Sequence, residues 1–278
     1  MPYTSKREHT ALVVRGDSVE RRPDALVGEE PLQIRAAGPG QAPEDVAITM
    51  RTPGFEEELA IGFLLAEGLI GLDDVASITF ELGDPVLVAQ PHDELLVRLP
   101  RRLDLAALAE RHFVATASCG ICGRASTDEL VARIERLPEG PVVPRSVLES
   151  LPDRMREAQT IFEATGGLHA SALFDPRGQV LELREDVGRH NALDKLVGAR
   201  AFAGELPAHG SVLLVSGRVS FEIVQKAAVA GIPVLAAVSA PSDLAVSTAE
   251  RVGMTLVGFL RGDGFNVYTG AQRIDLGR

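Results

Sequence analysis

The chain is sparing with cysteine, with positive charge and with long apolar runs, and each shortage narrows what it can be. Only two cysteines occur in 278 residues, which suits a reducing compartment where thiols stay available rather than a disulfide framework. The longest apolar runs, such as Val234 to Val238, fall far short of a membrane span. The amino terminus, Met1 to His9, has no apolar core of signal-peptide length, so a soluble, cytoplasmic protein is expected. Lys and Arg number 28 against 39 Asp and Glu, a formal net charge of -11. That argues against broad attraction to nucleic acid or to an anionic membrane and leaves room only for a local basic pocket. The six histidines, at 9, 92, 112, 169, 190 and 209, make no short pair of the kind that completes a zinc site. With 45% hydrophobic and 24% charged residues, the composition is that of an ordinary globular protein. Its length favours two domains, a small α+β unit over residues 1–112 and an α/β unit over 113–278.

What is present centres on Ala117-Ser118-Cys119-Gly120-Ile121-Cys122-Gly123-Arg124, which holds both cysteines three residues apart. A thiolate is the reactive form of cysteine, and a Cys-x-x-Cys pair beside a cation such as Arg124 lowers one thiol's pKa. Gly120 and Gly123 leave the backbone adaptable and open to close approach. Four uses compete. A structural zinc site needs further ligands, and a thioredoxin-like dithiol wants its motif at a helix start directly after a buried strand. Two small buried hydrophobes fit poorly in a context with so little to pack. The fourth use is a nucleophilic or sulfur-carrying thiol on an accessible arm.

Along the chain, residues 1 to about 25 are charged and without clear pattern, and are expected to fray. Short alternating runs at 46–50, 78–80, 86–88 and 95–99 read as strands of one small sheet. Between them Thr52 is expected to cap a helix that has Pro53 in its first turn, Glu56 to Glu58 at its positive end and Gly68 at its close. After the cysteines, Ser126 with Glu129 and Ser150 with Asp153 form capping-box patterns. The first starts a short helix with Leu130, Ile134 and Leu137 on one face. The second puts Pro152 in the first turn of a helix striped by Leu151, Met155, Ala158 and Phe162 and ended by Gly166-Gly167. Strands at 169–174 and 179–183 flank a turn, Asp175-Pro-Arg-Gly178. A regular alternation follows: helix 191–199, strand 212–215, helix 221–230, strand 234–238, helix 244–252, strand 255–260. Fully apolar strands alternating with helices predict a sheet covered on both faces.

Ligands of such sheets collect beyond the strands' carboxyl ends, where helix amino termini favour anions. Ser216-Gly217-Arg218, Ser239 to Asp243 and Arg261-Gly262-Asp263-Gly264 follow the three buried strands there, and two arginines on that edge suit a phosphate-bearing ligand. Glu185 to Asn191 gathers charge at a strand-to-helix junction, as either a site wall or a solvated helix start.

Together these segments resemble the formate dehydrogenase accessory sulfurtransferase family, the FdhD proteins. The resemblance rests on Ser118-Cys-Gly-Ile-Cys-Gly123, Thr165-Gly-Gly-Leu-His-Ala170, Glu185-Asp-Val-Gly-Arg-His-Asn-Ala-Leu-Asp-Lys195, Ser216-Gly-Arg with Val224-Gln-Lys226, and Thr255-Leu-Val-Gly-Phe259. It implies a sulfurtransferase that takes persulfide sulfur from a cysteine desulfurase and passes it to the molybdenum cofactor in its bis-guanine-dinucleotide form, before insertion into the formate dehydrogenase catalytic subunit. The resemblance puts the persulfide on Cys119, with Cys122 as its partner, and puts cofactor contact on Phe259, Leu260, Arg261, Gly262, Asp263 and Gly264. Asp263 departs from the basic character expected beside phosphates. The resemblance also implies guanine nucleotide binding, a homodimer, and a cytidine-deaminase-like three-layer α/β fold in the carboxy-terminal domain. Zinc deaminases bind their metal through His-x-Glu and Pro-Cys-x-x-Cys segments. The corresponding stretches here are His190-Asn191-Ala192 and Gly217-Arg218-Val219-Ser220, so no zinc and no deaminase chemistry are expected. From another functional class, a dithiol redox chaperone for the enzyme precursor is the alternative.

Overall fold

The computed structural model describes residues 5–82, 93–104 and 135–277; Cys119, Cys122, the strand expected at 86–88 and the helix expected from Ser126 lie outside them. The chain opens with a hairpin of β1 (Lys6–Arg15) and β2 (Ser18–Val27). Its turn uses Gly16 at φ 57°, a conformation that glycine adopts without the Cβ clash. This corrects the expectation of fraying. Thr10 to Val14 and the turn glycine are sound hairpin signals, but nearly every position is exposed, so no in-and-out alternation marks them in the sequence.

A four-stranded sheet follows, in the order β4 (Glu44–Arg51), β3 (Glu30–Ala37), β6 (Glu94–Arg98), β5 (Thr79–Leu82). Strand β3, unmarked in the sequence reading, is central and pairs parallel with β6. Helix α1 (Glu56–Ala66) lies between β4 and β5 in sequence. Thr52 does not cap it. Phe55 is the capping residue and takes the left-handed conformation, φ 63°, while the Thr52 hydroxyl accepts the Val187 N–H at 3.1 Å.

Strand β7 (Val143–Pro144) leads into α2 (Arg145–Ala158), and a separate helix α3 (Thr160–Thr165) ends at Gly166. Helix α2 starts two turns earlier than the Ser150 pattern predicts. Pro144 is extended and sets the start; Pro152 sits inside the helix, and the Ser150 hydroxyl donates to the Val147 carbonyl at 2.7 Å rather than capping. Leu148, Leu151 and Met155 are buried on one face, each contributing roughly 1.5 to 3 kcal/mol, enough to offset an interior proline's cost of about 3 kcal/mol.

The larger sheet has six strands in the order β13 (Gly264–Thr269), β12 (Thr255–Arg261), β11 (Val234–Ala237), β10 (Val212–Val215), β8 (His169–Phe174), β9 (Val180–Asp186). β10, β11 and β12 run parallel; β8 and β13 oppose their neighbours, and a short β14 (Ile274–Asp275) pairs with β7. Its two faces bury different residues. Val212, Leu214, Val234 and Ala236 pack with Leu148, Leu151 and Met155 of α2. Leu213, Val215, Leu235 and Ala237 join α4 (Arg189–Phe202), α5 (Phe221–Val229) and α6 (Asp243–Val252). That second core also takes in α1 and the small sheet, through Leu32, Ile34, Leu59, Leu64 and Val97. Helices α1 and α4 cross at paired glycines. A Cβ on Gly62 would lie 1.9 Å from the Asp194 carbonyl oxygen, and one on Gly198 would lie 1.9 Å from that of Glu58. No helix among the described residues is long and apolar enough to cross a membrane.

Candidate functional site

The carboxyl ends of the parallel strands gather a compact polar group. Ser216, just past β10, exchanges hydrogen bonds with the start of β8: its N–H donates to the Ala170 carbonyl at 3.0 Å and its hydroxyl accepts the Ala170 N–H at 2.9 Å. The same hydroxyl lies 3.4 Å from His169 Nδ1. Gly217 follows with no side chain, and a Cβ there would stand 3.3 Å from the His169 ring and 3.6 Å from Arg189 Cδ. His190, in the first turn of α4, reaches across to the start of α5. Its Nε2 is 2.9 Å from Glu222 Oε2 and 3.2 Å from Ser220 Oγ. Neither helix start carries a side-chain cap from Gly188 or Ser220, so their N–H groups keep hydrogen-bonding capacity for a ligand. Arg189 Nε is a buried donor with no acceptor among the described residues.

Electrostatics divides this group. Burial pushes the His169 imidazole below its ordinary value of 6.5, with Arg189 and His190 adding to the effect, so the ring facing Ser216 is neutral at pH 7. The hydrogen bond from His190 holds the Glu222 carboxyl below its ordinary range. The result is a neutral imidazole and hydroxyl on one side and a histidine hydrogen-bonded to a carboxylate on the other, a set of groups fit for hydrogen bonding to a ligand.

The site is fixed from behind by a buried network. Asp186, wholly buried, accepts from the N–H groups of Thr52 (3.0 Å) and Gly188 (2.8 Å) and from Asn191 Nδ2 (3.1 Å), and pairs with Lys195 Nζ at 2.7 Å. Lys195 also donates to the Thr52 carbonyl at 2.8 Å. Glu185 points the other way and serves the start of α3, accepting from Ile161 and Phe162 N–H at 3.0 and 2.8 Å. One helix turn further, Lys226 Nζ pairs with buried Asp194 at 2.7 Å. Burial pushes the Asp194 carboxyl up to about 6 against the pull of Lys226. The charged stretch 185–191 is thus neither a plain solvated helix start nor a continuous wall. Asp186 and Asn191 are structural, while Arg189 and His190 face the strand ends.

The residues assigned to cofactor contact lie at the end of β12 and in its turn to β13. Arg261 and Gly264 pair across a two-residue turn of Gly262, at φ 58°, and Asp263. The Arg145 guanidinium donates to the Asp263 carbonyl at 3.2 Å. Phe259 is left-handed at φ 55°, its N–H bonded to the Ser239 carbonyl at 3.1 Å, and the Arg261 guanidinium lies 6.0 Å from its ring centroid. Leu260 is buried in the core on the α2 side. Ser220 and Glu222 were not singled out as ligands in the sequence; a serine and a glutamate spaced to sit at one helix start after Gly217 are the signal that could have found them. Among the described residues no three His, Cys, Asp or Glu side chains are grouped to hold a metal.

Fold and site together define a mixed α/β protein whose polar site lies at parallel strand ends and between helix starts. The sequence profile of the FdhD/NarQ family matches residues 27–275, and the chain belongs to that family. It is 51% identical over 269 residues to a protein of Streptomyces avermitilis named Sulfur carrier protein FdhD, covering 95% of this chain and 93% of that one. Proteins of the same name from Mycolicibacterium paratuberculosis and Sulfurisphaera tokodaii are 49% and 41% identical, covering 99% and 94% of this chain and 100% and 96% of theirs. A crystal structure from Desulfotalea psychrophila, described as a formate dehydrogenase accessory protein, superposes with a TM-score of 0.72 at 22% identity, over 98% of this chain and all of that one. It shows the same fold.

Proposed function

We propose that this chain is a sulfur carrier serving formate dehydrogenase maturation in the cytoplasm. The observation that carries the reading is the family match across residues 27–275, which spans the chain's only two cysteines, Cys119 and Cys122; relatives over nearly its whole length bear the name sulfur carrier protein. In this reading the Cys119 thiolate attacks the outer sulfur of a cysteine desulfurase persulfide. The donor's S–S bond breaks, the desulfurase leaves as a thiolate, and Cys119 holds the sulfane sulfur with no net oxidation. Delivery reduces that sulfur. The Cys122 thiolate attacks the Cys119 sulfur, sulfide departs to the molybdenum cofactor as substrate, and the two thiols end as a disulfide that a dithiol reductant reopens.

The cofactor's guanine dinucleotide arm belongs, on this reading, at the strand-end edge, with Arg189, Arg218 and Arg261 as charged donors and the uncapped start of α4 beside them. The six-stranded sheet with helices on both faces serves as the cytidine-deaminase-like frame. His190 and Ser220, 3.2 Å apart, hold hydrogen bonds where a deaminase would hold zinc, and the reading needs no metal there. The catalytic subunit of formate dehydrogenase is the receiving partner, and the carrier works as a homodimer.

Mass spectrometry after incubation with a desulfurase and cysteine tests the reading. A gain of one sulfur atom on the Cys119 peptide, lost in Cys119→Ala, is the expected result. A Cys119–Cys122 disulfide with no sulfur gain would instead identify a dithiol redox chaperone.

A further inference from the structure

The segment Thr52-Pro53-Gly54-Phe55 is held more firmly than any loop needs to be, and it holds an aromatic side chain out to solvent. Thr52 is fixed through its N–H, hydroxyl and carbonyl to Asp186, Val187 and Lys195. The Gly54 N–H donates to Glu56 Oε1 at 2.7 Å, and Glu56 in turn meets the buried Arg51 guanidinium at 3.2 Å. At the end of this brace Phe55 has φ 63° and is 54% exposed. A bulky residue in that conformation is a true outlier and persists only where its surroundings impose it. The Arg184 guanidinium lies over its ring, 4.5 Å from the centroid.

Phe55 stands between two hollows and lines both. One, of about 360 Å³, is walled by Ile161, Val180, Leu181 and the Arg184 stem; the other, of about 580 Å³, by Pro53, Leu82 and Leu95. Leu82 is 54% exposed and Val180 and Leu181 are each 40% exposed, so apolar surface continues to the rim. Charge at the rim has one sign in excess. Glu56, Glu57, Glu58 and Glu182 converge on the hollows. Arg51 takes Glu56, and Arg184 takes Glu58 at 2.6 Å and also meets Glu182. With Glu185, five carboxylates thus face two guanidiniums and the Lys195 ammonium, which Asp186 takes, and the start of α1 adds only about half a positive charge.

We propose that Phe55 and its two hollows form a docking site for a protein segment that carries aliphatic or aromatic side chains alternating with Lys or Arg. The rigid ring acts as a preorganised anchor between two apolar side chains of the partner, which enter the hollows, and the partner's cations meet Glu57 and share Glu182 with Arg184. None of His169, Arg189, His190 and Ser216 lines either hollow, so a partner can be held there while the strand-end site is occupied.

The test is fluorescence-anisotropy titration of the full chain with a labelled peptide of alternating Leu and Arg, beside one of alternating Leu and Glu, at 0.15 M salt. The Leu-Arg peptide binds and the Leu-Glu peptide does not. Affinity falls at least tenfold in Phe55→Gly and in Glu57→Lys, and stays within twofold in Glu250→Lys on α6, which changes charge equally at a remote exposed position. Phe55→Gly also separates docking from structure, because glycine relieves the left-handed strain and the melting temperature is unchanged or higher. Equal loss in Glu250→Lys would reduce the binding to bulk charge and overturn the proposal. So would unaltered binding by Phe55→Gly, or a melting temperature lowered by several degrees in that variant, which would make the ring a structural part.

Discussion

Replacing Lys195 by methionine removes the ammonium from Asp186 while keeping most of the side chain's volume. In the wild type that carboxylate is fully buried, with four donors: Lys195 Nζ, Asn191 Nδ2 and the N–H groups of Thr52 and Gly188. The variant leaves three neutral donors facing an uncompensated charge and orphans the Thr52 carbonyl, which Lys195 holds at 2.8 Å. Breaking a buried pair from one side costs about 3 to 5 kcal/mol. At roughly 2 to 4 °C per kcal/mol for a chain approaching this size, the melting temperature should fall by about 6 to 20 °C. Denaturant unfolding measures the loss directly. Asp186→Asn combined with Lys195→Met removes both charges, so the double variant should recover part of the loss and show a coupling energy well above about 1 kcal/mol. A single-variant loss under about 1 kcal/mol, or strictly additive losses, would refute the view that this pair ties the Thr52 loop to α4.

Three further outcomes are expected. Gly62→Ala should lower stability by about 1 to 3 kcal/mol or more in thermal unfolding, because a Cβ placed 1.9 Å from the Asp194 carbonyl forces α1 and α4 apart. Arg261→Ala should weaken GDP binding by roughly tenfold to a hundredfold in calorimetric titration, the worth of one charge-assisted hydrogen bond, while leaving persulfide loading of Cys119 intact. His169 carries a lowered pKa in the fold, so its contribution to stability is complete above pH 6.5 and is lost as pH falls from there through the folded value, where the unfolded chain takes up a proton that the native one resists. His169→Gln should flatten the stability profile in that window, and an unchanged slope would show that the ring does not titrate differently on folding.

The sequence made the larger sheet legible because its strands are short, wholly apolar runs between helices with clear stripes, and the observed bounds of β10, α5, β11, α6 and β12 agree with the expected ones to within one or two residues. It failed where packing overrules local signals. Pro152 looks like a first-turn residue, yet the apolar face begun at Leu148 runs straight through it. Thr52 before a proline and three glutamates looks like a cap, but its N–H and hydroxyl are committed 134 and 135 residues downstream, at Asp186 and Val187, and no local pattern encodes that. Strand β3 went unmarked because its run opens on Pro31 and closes on two alanines, poor strand formers, though Leu32, Ile34 and Ala36 alternate with Gln33 and Arg35 and are fully buried. Arg189 and His190 stood out as charge at a strand-to-helix junction. Glu222 did not, since its meaning depends on His190 arriving from another helix.

That long-range commitment also bears on how the parts work together. The Asp186–Lys195 network joins, within one set of hydrogen bonds, the Thr52 carbonyl that begins the Phe55 loop and the Gly188 N–H that begins α4. The first leads to an exposed aromatic knob and the second to Arg189 and His190 at the strand ends. A displacement of either segment must therefore strain the same buried carboxylate, whose four donors leave it no second arrangement of equal energy. Such a hub transmits little motion and instead holds two surfaces at fixed separation. If a partner docks at Phe55 as proposed, that rigidity presents it at constant distance from the strand-end site.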